Sequence, residues 1–457
     1  MDRLISESRR HGLLTAREIS EAMHVSQPTA SRLISGLGIR RVARIGRARS
    51  TRYAMRRSIR GLGSSWPLYC ITPNAVPQTI GRLHALEGGR WYVEQDEPWD
   101  TLRGTEFIDG IYPGLPWFLQ DLRPRGFLGR SFARRYAAQM GTPSDPLRWS
   151  DDDIAVGLVQ VGEDLSGALV VGGTSLAAAQ AHTIREVEAI DADAREMIYP
   201  AKADASLAGE WPGSSAAGEQ PKFTARVSAA GGALRHVIVK FNGSGGRPED
   251  RRWADLLVAE HMANTVLSAA GVPCADTSVL QAAGRFFLES TRFDRVGPHG
   301  RRGLVSLEAL DAAFFGAVET PWTDAAARML GDGWINAEDA DRLSLRWWFG
   351  TLIGNTDMHY GNVSLFLASA RPLGLAPTYD MVPMQYRPDI EGRFSDDPVT
   401  PAVPSPDALT VWSKAAALAD RYWSRLSCCE LVSSGFRGLA SANAGAITMQ
   451  LRRMTAG

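Results

Sequence analysis

Residues 350–364, reading GTLIGNTDMHYGNVS, constrain this chain more than any other stretch. An aromatic and apolar run predicted as a helix over Leu345–Ile353 stops at a glycine. Polar groups follow at once, with Asp357 and, five positions on, Asn362. A short strand over Val363–Leu367, a turn at Ser369–Pro372 and a second strand over Leu373–Ala376 then lead directly to Asp380. Phosphoryl transfer asks for such a set: an aspartate that orients and deprotonates the acceptor hydroxyl, an asparagine five residues on, and a later aspartate for Mg²⁺. The hairpin returns Asp380 beside the first pair. Because the reaction depends mostly on positioning and charge neutralisation, these three groups suffice on one side of a cleft. Alone, a D-x-x-x-x-N spacing is common, and its ordinary reading is a polar loop with capping side chains.

The complementary half lies upstream. Val237–Phe241 is an apolar strand interrupted by Lys240, a useful place for an ammonium that reaches the α- and β-phosphates of ATP. An edge-strand lysine with a solvated tip accounts for it equally well. Glu260, on a helix predicted over Trp253–Ser268, is a candidate ion-pair partner, although most such carboxylates are exposed. Ahead of the strand, residues 213–222 read GSSAAGEQPK. Small residues there let backbone N–H groups approach phosphate oxygens, with Ser215, Gly218 and Gln220 as candidate ATP contacts. No G-x-x-x-x-G-K-[ST] loop occurs in that stretch. An apolar strand at Phe286–Leu288 runs into Glu289–Arg295, where an inter-lobe hinge would offer backbone groups to adenine; Glu289 is the candidate contact, and Asp294 with Arg295 reads as a structural ion pair. His359 reads as a hydrogen-bonding loop residue or a further ATP contact. With Asp357 and Asp380 it also fits a metal site for DNA hydrolysis.

The head of the chain carries a different signal. Residues 1–60 hold fourteen arginines and no lysine against Asp2, Glu7, Glu18 and Glu21, a formal +10. The whole chain balances 50 basic with 50 acidic residues, so the remainder carries −10. A basic head on an acidic body points to two functions. A helix is predicted over Ala16–Met23 with a Thr15/Glu18 capping box. A tight turn at His24–Ser26 leads to a second helix over Gln27–Leu37, with Ala30, Leu33, Ile34 and Leu37 on its apolar face. A β-hairpin with a basic tip spans Val42–Met55. This order is that of a winged helix-turn-helix. Gln27, Thr29, Ser31 and Arg32 are its candidate base and phosphate contacts, and Arg44, Arg47, Arg49 and Arg52 its candidate backbone contacts. A helical protein-interaction module with a solvated basic face is the alternative.

The remainder is ordinary globular sequence: 457 residues, 44% apolar and 22% charged, enough for about three domains. Trp91–Glu94 reads as a strand and residues 174–189 as a helix. The aromatic and proline-rich stretch Tyr112–Pro124 reads as core or inter-lobe packing, with a peptide groove as the alternative. Cys70, Cys274, Cys428 and Cys429 show no metal-ligand spacing and fit a reducing compartment. With no signal-peptide pattern and no apolar run of about 18 residues, the expectation is a cytoplasmic protein with no membrane association.

The residues Ser215–Lys222, the Lys240 strand, Arg292–Arg295, Asn355–Ser364 and Ala376–Met381 together resemble the HipA family of bacterial toxin Ser/Thr kinases. The layout, including the N-terminal head and Leu115–Pro124, is similar to the YjjJ branch of that family. The resemblance implies an α+β chain. It would have a winged helix-turn-helix at 1–60, a HipA-type N-terminal subdomain at 66–200, a kinase N-lobe at 201–300 and a mostly helical C-lobe at 301–457. It implies Asp357 as catalytic base, Asn362 and Asp380 as Mg²⁺ ligands, Lys240 as phosphate contact and Ser215 as an autophosphorylated serine. Its expected partners are operator DNA bound by residues 1–60, a second copy of the chain in a homodimer, and a protein substrate; an aminoacyl-tRNA synthetase or a translation factor is the family's kind of target. In that family the DNA-binding module usually belongs to a separate antitoxin, HipB; here a similar module is fused. Two other readings stay open. One is a transcriptional regulator with a catalytically silent, ATP-sensing kinase body, and the other is a metal-dependent DNase.

Overall fold

The computed structural model describes residues 2–38, 40–46, 50–96, 99–107, 109–184, 189–209, 220–228, 232–317 and 320–455. Its architecture is mixed α+β. The N-terminal unit packs three helices, Asp2–His11, Ala16–Met23 and Gln27–Leu37, against an antiparallel hairpin of Val42–Ile45 and Arg52–Met55. The first helix went unread because its polar sequence supplies little beyond Leu4 to the core. The capping box forms as expected: Glu18 N donates to Thr15 Oγ1 at 3.2 Å, and Thr15 N donates to Glu18 Oε2 at 2.6 Å. Leu4, Leu14, Ile19, Ala30, Ile34, Val42 and Met55 form the unit's core. Leu33 departs from expectation at 43% exposed, since the apolar stripe of so small a unit is narrower than the helical spacing suggests. Strand alternation turns Ala43, Ile45 and Ala54 to the other face of the hairpin, where they pack with Leu86 of the body. Arg9 pairs with Glu87 at 2.8 Å along the same seam.

The middle region is a five-stranded antiparallel sheet in the order Ile111–Tyr112, Trp91–Gln95, Pro77–Ala85, Ser65–Ile71, Leu169–Val171. Helices Gly126–Met140, Asp151–Val161 and Gly173–Ile184 accompany it. The aromatic stretch is core, as its composition suggests: Tyr112 Oη and Trp117 Nε1 both donate to the Leu102 carbonyl, at 2.8 and 2.9 Å. Each ring thereby buries its apolar body with its polar tip satisfied.

A second antiparallel sheet has the order Thr277–Ala282, Arg285–Thr291, Leu234–Phe241, Lys222–Ser228. Helix Arg195–Leu207 covers one face through Tyr199, which meets Phe223 and Phe287. That helix continues past residue 200, and the ribbon Arg295–Val296/Gly300–Arg301 past residue 300. Helix Pro248–Ala269 lies on the opposite face. The remainder is chiefly helical, with Trp322–Gly331, Ala337–Leu352, Leu409–Ser427 and Ser434–Thr455 around buried Trp322, Trp412, Tyr422 and Trp423. A small sheet of Val305–Ser306, Ser364–Phe366 and Gly374–Leu375 joins the two parts. No described helix is long and apolar enough to cross a membrane.

Candidate active site

The two-residue period of the Leu234–Phe241 strand sorts its side chains. Val237, Val239 and Phe241 enter the core under Tyr199, while Ile238 and Lys240 face a cavity of about 180 Å³. Lys240 Nζ donates to Glu260 Oε1 and Oε2 at 2.6 and 2.7 Å and also bonds Asp380 Oδ1. Glu260 is therefore buried at 2% exposure rather than solvated, because helix Pro248–Ala269 turns it under the sheet. Lys222 is the register partner of Lys240 on the neighbouring strand and lines the same cavity. Burial opposes the charged form of Lys240, but Asp380 and Glu260 outweigh it and hold the ammonium above its ordinary pKa. Burial likewise opposes ionised Asp380, yet Lys240 and then Lys222 hold its carboxyl below the ordinary value. For Glu260 burial wins, and its carboxyl is raised.

The facing wall comes from the segment around Asp357 and Asn362. Helix Ala337–Leu352 ends before Gly354, whose φ of 73° supplies the left-handed turn that glycine adopts most easily. The loop beyond it braces itself. Asp357 N donates to Asn355 Oδ1 at 3.0 Å, and Asn362 Nδ2 donates to the Asp357 carbonyl at 2.8 Å. Asn362 lines the cavity with Gly361. Leu365 pairs with Leu375 in the predicted hairpin, whose strands are shorter than expected. The hairpin delivers Tyr379 and Asp380 to the cavity. Tyr379 Oη lies 2.7 Å from Ser364 Oγ and donates to the Gly361 carbonyl at 3.0 Å. Asp380 has φ 54°, a conformation that a non-glycine residue holds only when its surroundings impose it.

The remaining candidates divide. Glu289 lies off the cavity. On its strand Phe286, Leu288 and Ser290 face the helix and cavity side, so the period puts Glu289 on the far face. There it accepts from Tyr199 Oη at 2.6 Å, Arg195 Nη1 at 3.0 Å and Arg235 Nη2 at 3.1 Å. Its backbone lies inside the sheet, paired with Val239 and Ser278. The adjoining Ser290–Asp294 lines the cavity instead. His359 is exposed, accepts at Nδ1 from Gly361 N at 3.0 Å, and does not line the cavity. Gln220 is half-buried and also stands outside the lining. Ser215 and Gly218 lie outside the described residues, as do Arg47 and Arg49. Of the head's candidates, Gln27, Ser31, Arg32, Arg44 and Arg52 are exposed, while Thr29 is half-buried with its hydroxyl 2.9 Å from that of Ser26.

Lys222 and Asp121 are among the lining groups that the sequence analysis does not single out. Lys222 reaches the cavity by strand register, which a single strand's sequence does not disclose. Asp121, at the end of the aromatic stretch, accepts from Ser306 Oγ at 2.6 Å and from Ser306 N. Arg125, beside it, pairs with Glu308 at 2.7 Å on the cavity's rim. Among the described residues no three His, Cys, Asp or Glu side chains group as a metal site; Asp357, His359 and Asp380 do not converge in that way. Asp380 and Asn362 do fit Mg²⁺ in kind, since both offer hard oxygen ligands to one cavity and Asn362 spends only its amide N–H on the loop.

The chain has known counterparts. Residues 214–424 match the HipA-like C-terminal domain and residues 62–180 the middle domain of the YjjJ-like toxins. The fold resembles that of a chain in the Shewanella oneidensis MR-1 complex of HipA, HipB and operator DNA. The TM-score is 0.53 at 18% identity, covering 85% of this chain and 97% of that one. The class is therefore that of chains with a HipA-like C-terminal domain. Within it, the chain is 34% identical over 430 residues to Toxin YjjJ of Escherichia coli K12, covering 94% of each. The chain belongs to the YjjJ-like toxin family.

Proposed function

We propose that this chain is a Ser/Thr protein kinase that transfers the γ-phosphate of ATP to a protein hydroxyl and arrests growth. The observation that carries the reading is Lys240, held between Glu260 and Asp380 across a cavity that Asn362 also lines. In this reading Lys240 orients the α- and β-phosphates, with Glu260 fixing its position. Asp357 takes the proton of the acceptor hydroxyl. Asn362 and Asp380 hold Mg²⁺, which supplies charge neutralisation at the phosphates when bound. Ser290–Asp294, rather than Glu289, borders the adenine. Ser215 is the autophosphorylation site of the proposal, and Gly218, Gln220 and His359 stand as further ATP contacts in it.

The N-terminal unit acts as a winged helix-turn-helix on operator DNA, as part of a homodimer. Gln27, Thr29, Ser31 and Arg32 face the major groove, and Arg44, Arg47, Arg49 and Arg52 the phosphates. The exposed guanidiniums on one head of net +10 support this.

The test incubates purified protein with ATP and Mg²⁺ beside Asp357→Ala and maps phosphosites by mass spectrometry. Phosphate on Ser215 of the wild type and none on the variant is the expected result. ATP binding with no transfer to the chain or to any added lysate protein overturns the kinase reading in favour of an ATP-sensing regulator.

A further inference from the structure

A second, smaller cavity opens at the seam between the middle region and the four-stranded sheet. Apolar side chains of the middle region close one wall, and the other carries Arg226, His236, Arg295, His299 and Arg301, with Asp164 between. Its volume of about 30 Å³ suits a small polyatomic ion and excludes a nucleoside. None of its residues belongs to the cleft described above.

The charges do not balance. Arg226 and His236 are register partners, so they project from one face of adjacent strands. His236 Nε2 donates to the Pro298 carbonyl at 2.9 Å, which pins the ribbon bearing Arg295 and Arg301. Arg295 is fully engaged, donating to Asp294 Oδ2 at 2.7 Å, Asp164 Oδ1 at 2.9 Å and the Leu165 carbonyl at 2.7 Å. Arg292 takes the same Asp294 carboxylate, at 2.8 Å. The two carboxylates are thus used by two guanidiniums. Arg301 bonds the Glu163 carbonyl through Nη2, and its Nη1 is buried with no hydrogen-bond partner among the described residues. Arg226 has Asp164 as its attracting carboxylate and is repelled by Arg295 and Arg292. In the cavity's own lining three guanidiniums, Arg226, Arg295 and Arg301, therefore face one carboxylate, Asp164, and a guanidinium does not relieve such an excess by losing its proton. Burial, then Arg295, pushes Arg301 down to about 9.

We infer that this seam cavity binds a small oxyanion of the phosphate class, with Arg301 Nη1 and Arg226 as its principal donors. A tetrahedral dianion supplies the two missing negative charges and accepts from planar guanidinium forks, the geometry they match best. The bound group bridges the middle region and the sheet. Free phosphate and the phosphate of a monoester share this chemistry, and the small cavity admits only the phosphoryl end of an ester.

The experiment is isothermal titration of the full chain with inorganic phosphate and, separately, O-phosphoserine, at constant ionic strength. Arg226→Gln, with a half-exposed side chain, and His299→Ala are the variants; Arg301→Gln is added if it folds. The expected result is saturable binding of phosphate or phosphoserine that weakens at least about tenfold in Arg226→Gln. Tighter binding of phosphoserine identifies an ester as the source, and equal or tighter binding of phosphate the free ion. No saturable binding of either probe at millimolar concentration overturns the inference. So does binding that Arg226→Gln leaves unchanged, or that a saturating non-hydrolysable ATP analogue abolishes, since the ion would then sit in the nucleotide cleft.

Discussion

Lys240 and Asp380 stand 140 positions apart and bond directly across the cleft. The same ammonium is gripped from its own lobe by both oxygens of Glu260. One buried cation thus holds together two carboxylates that would otherwise repel each other, and with them the two halves of the cavity.

Removing that cation is expected to cost stability in a pH-dependent way. Breaking a buried ion pair from one side costs about 3–5 kcal/mol. Glu260 is already raised by burial, and without Lys240 it rises further. A carboxyl with a raised folded pKa imposes its full penalty above that pKa and sheds it as pH falls towards the unfolded value. Lys240→Met should therefore lose most stability near pH 8 and recover part of it near pH 5 in urea unfolding. An equal loss at both pH values would show that Glu260 keeps its charge without the lysine.

Asp357→Asn separates chemistry from folding. Asp357 is half-buried, and its backbone rather than its carboxylate braces the loop. Phosphoryl transfer should fall by about 10²–10⁴-fold if the carboxylate acts as base. The unfolding free energy should move by no more than about 0.5 kcal/mol, and calorimetry should find nucleotide affinity unchanged.

Glu289→Gln should do the reverse. The substitution leaves Arg195 and Arg235 facing a neutral amide in a nearly closed site, a loss of about 2 kcal/mol. The expected outcome is a lower unfolding midpoint with nucleotide affinity intact. A weakened affinity in well-folded variant protein would restore Glu289 to the nucleotide site.

Acid sensitivity should begin well above the carboxylate range. Burial, then Arg56 and Arg82, push His84 down to about 3, and burial pushes His236 down to about 4. Below pH about 6.5 the unfolded chain binds protons that the folded histidines refuse. Stability is therefore full above that pH and declines as pH falls towards those folded values. Denaturant midpoints from pH 8 to 4 should show the decline, and His84→Gln should make it shallower.

The head's contribution should be electrostatic. Arg44 and Arg52 are exposed on the hairpin. Replacing either by alanine should weaken binding to duplex DNA and lower the slope of log affinity against log salt by about one. Fluorescence anisotropy over a salt series measures both. An unchanged slope in both variants would remove the hairpin from the interface.

Local chemistry explains what the sequence disclosed. The Thr15/Glu18 box, the helix into Gly354, the Asp357–Asn362 spacing and the hairpin to Asp380 each depend on neighbours in the chain, and each was legible. Long-range placement was not. Glu260 reads as a surface carboxylate until helix Pro248–Ala269 is set under the sheet. Lys222 becomes a cavity residue only through its register with Lys240. Glu289 differs for a subtler reason: the strand expected to end at Leu288 runs on to Thr291, and which of its faces meets the cleft depends on the helix covering the other side.

The N-terminal hairpin has apolar side chains committed on both faces, Val42 and Met55 inward to the head and Ala43, Ile45 and Ala54 outward to the body. A chain cut at residue 60 would leave two greasy scars, one on each fragment, so neither half is a faithful stand-in for the whole. In the intact protein the same packing seats the head directly on the body through Leu86, so the two are joined by a shared core rather than by a tether.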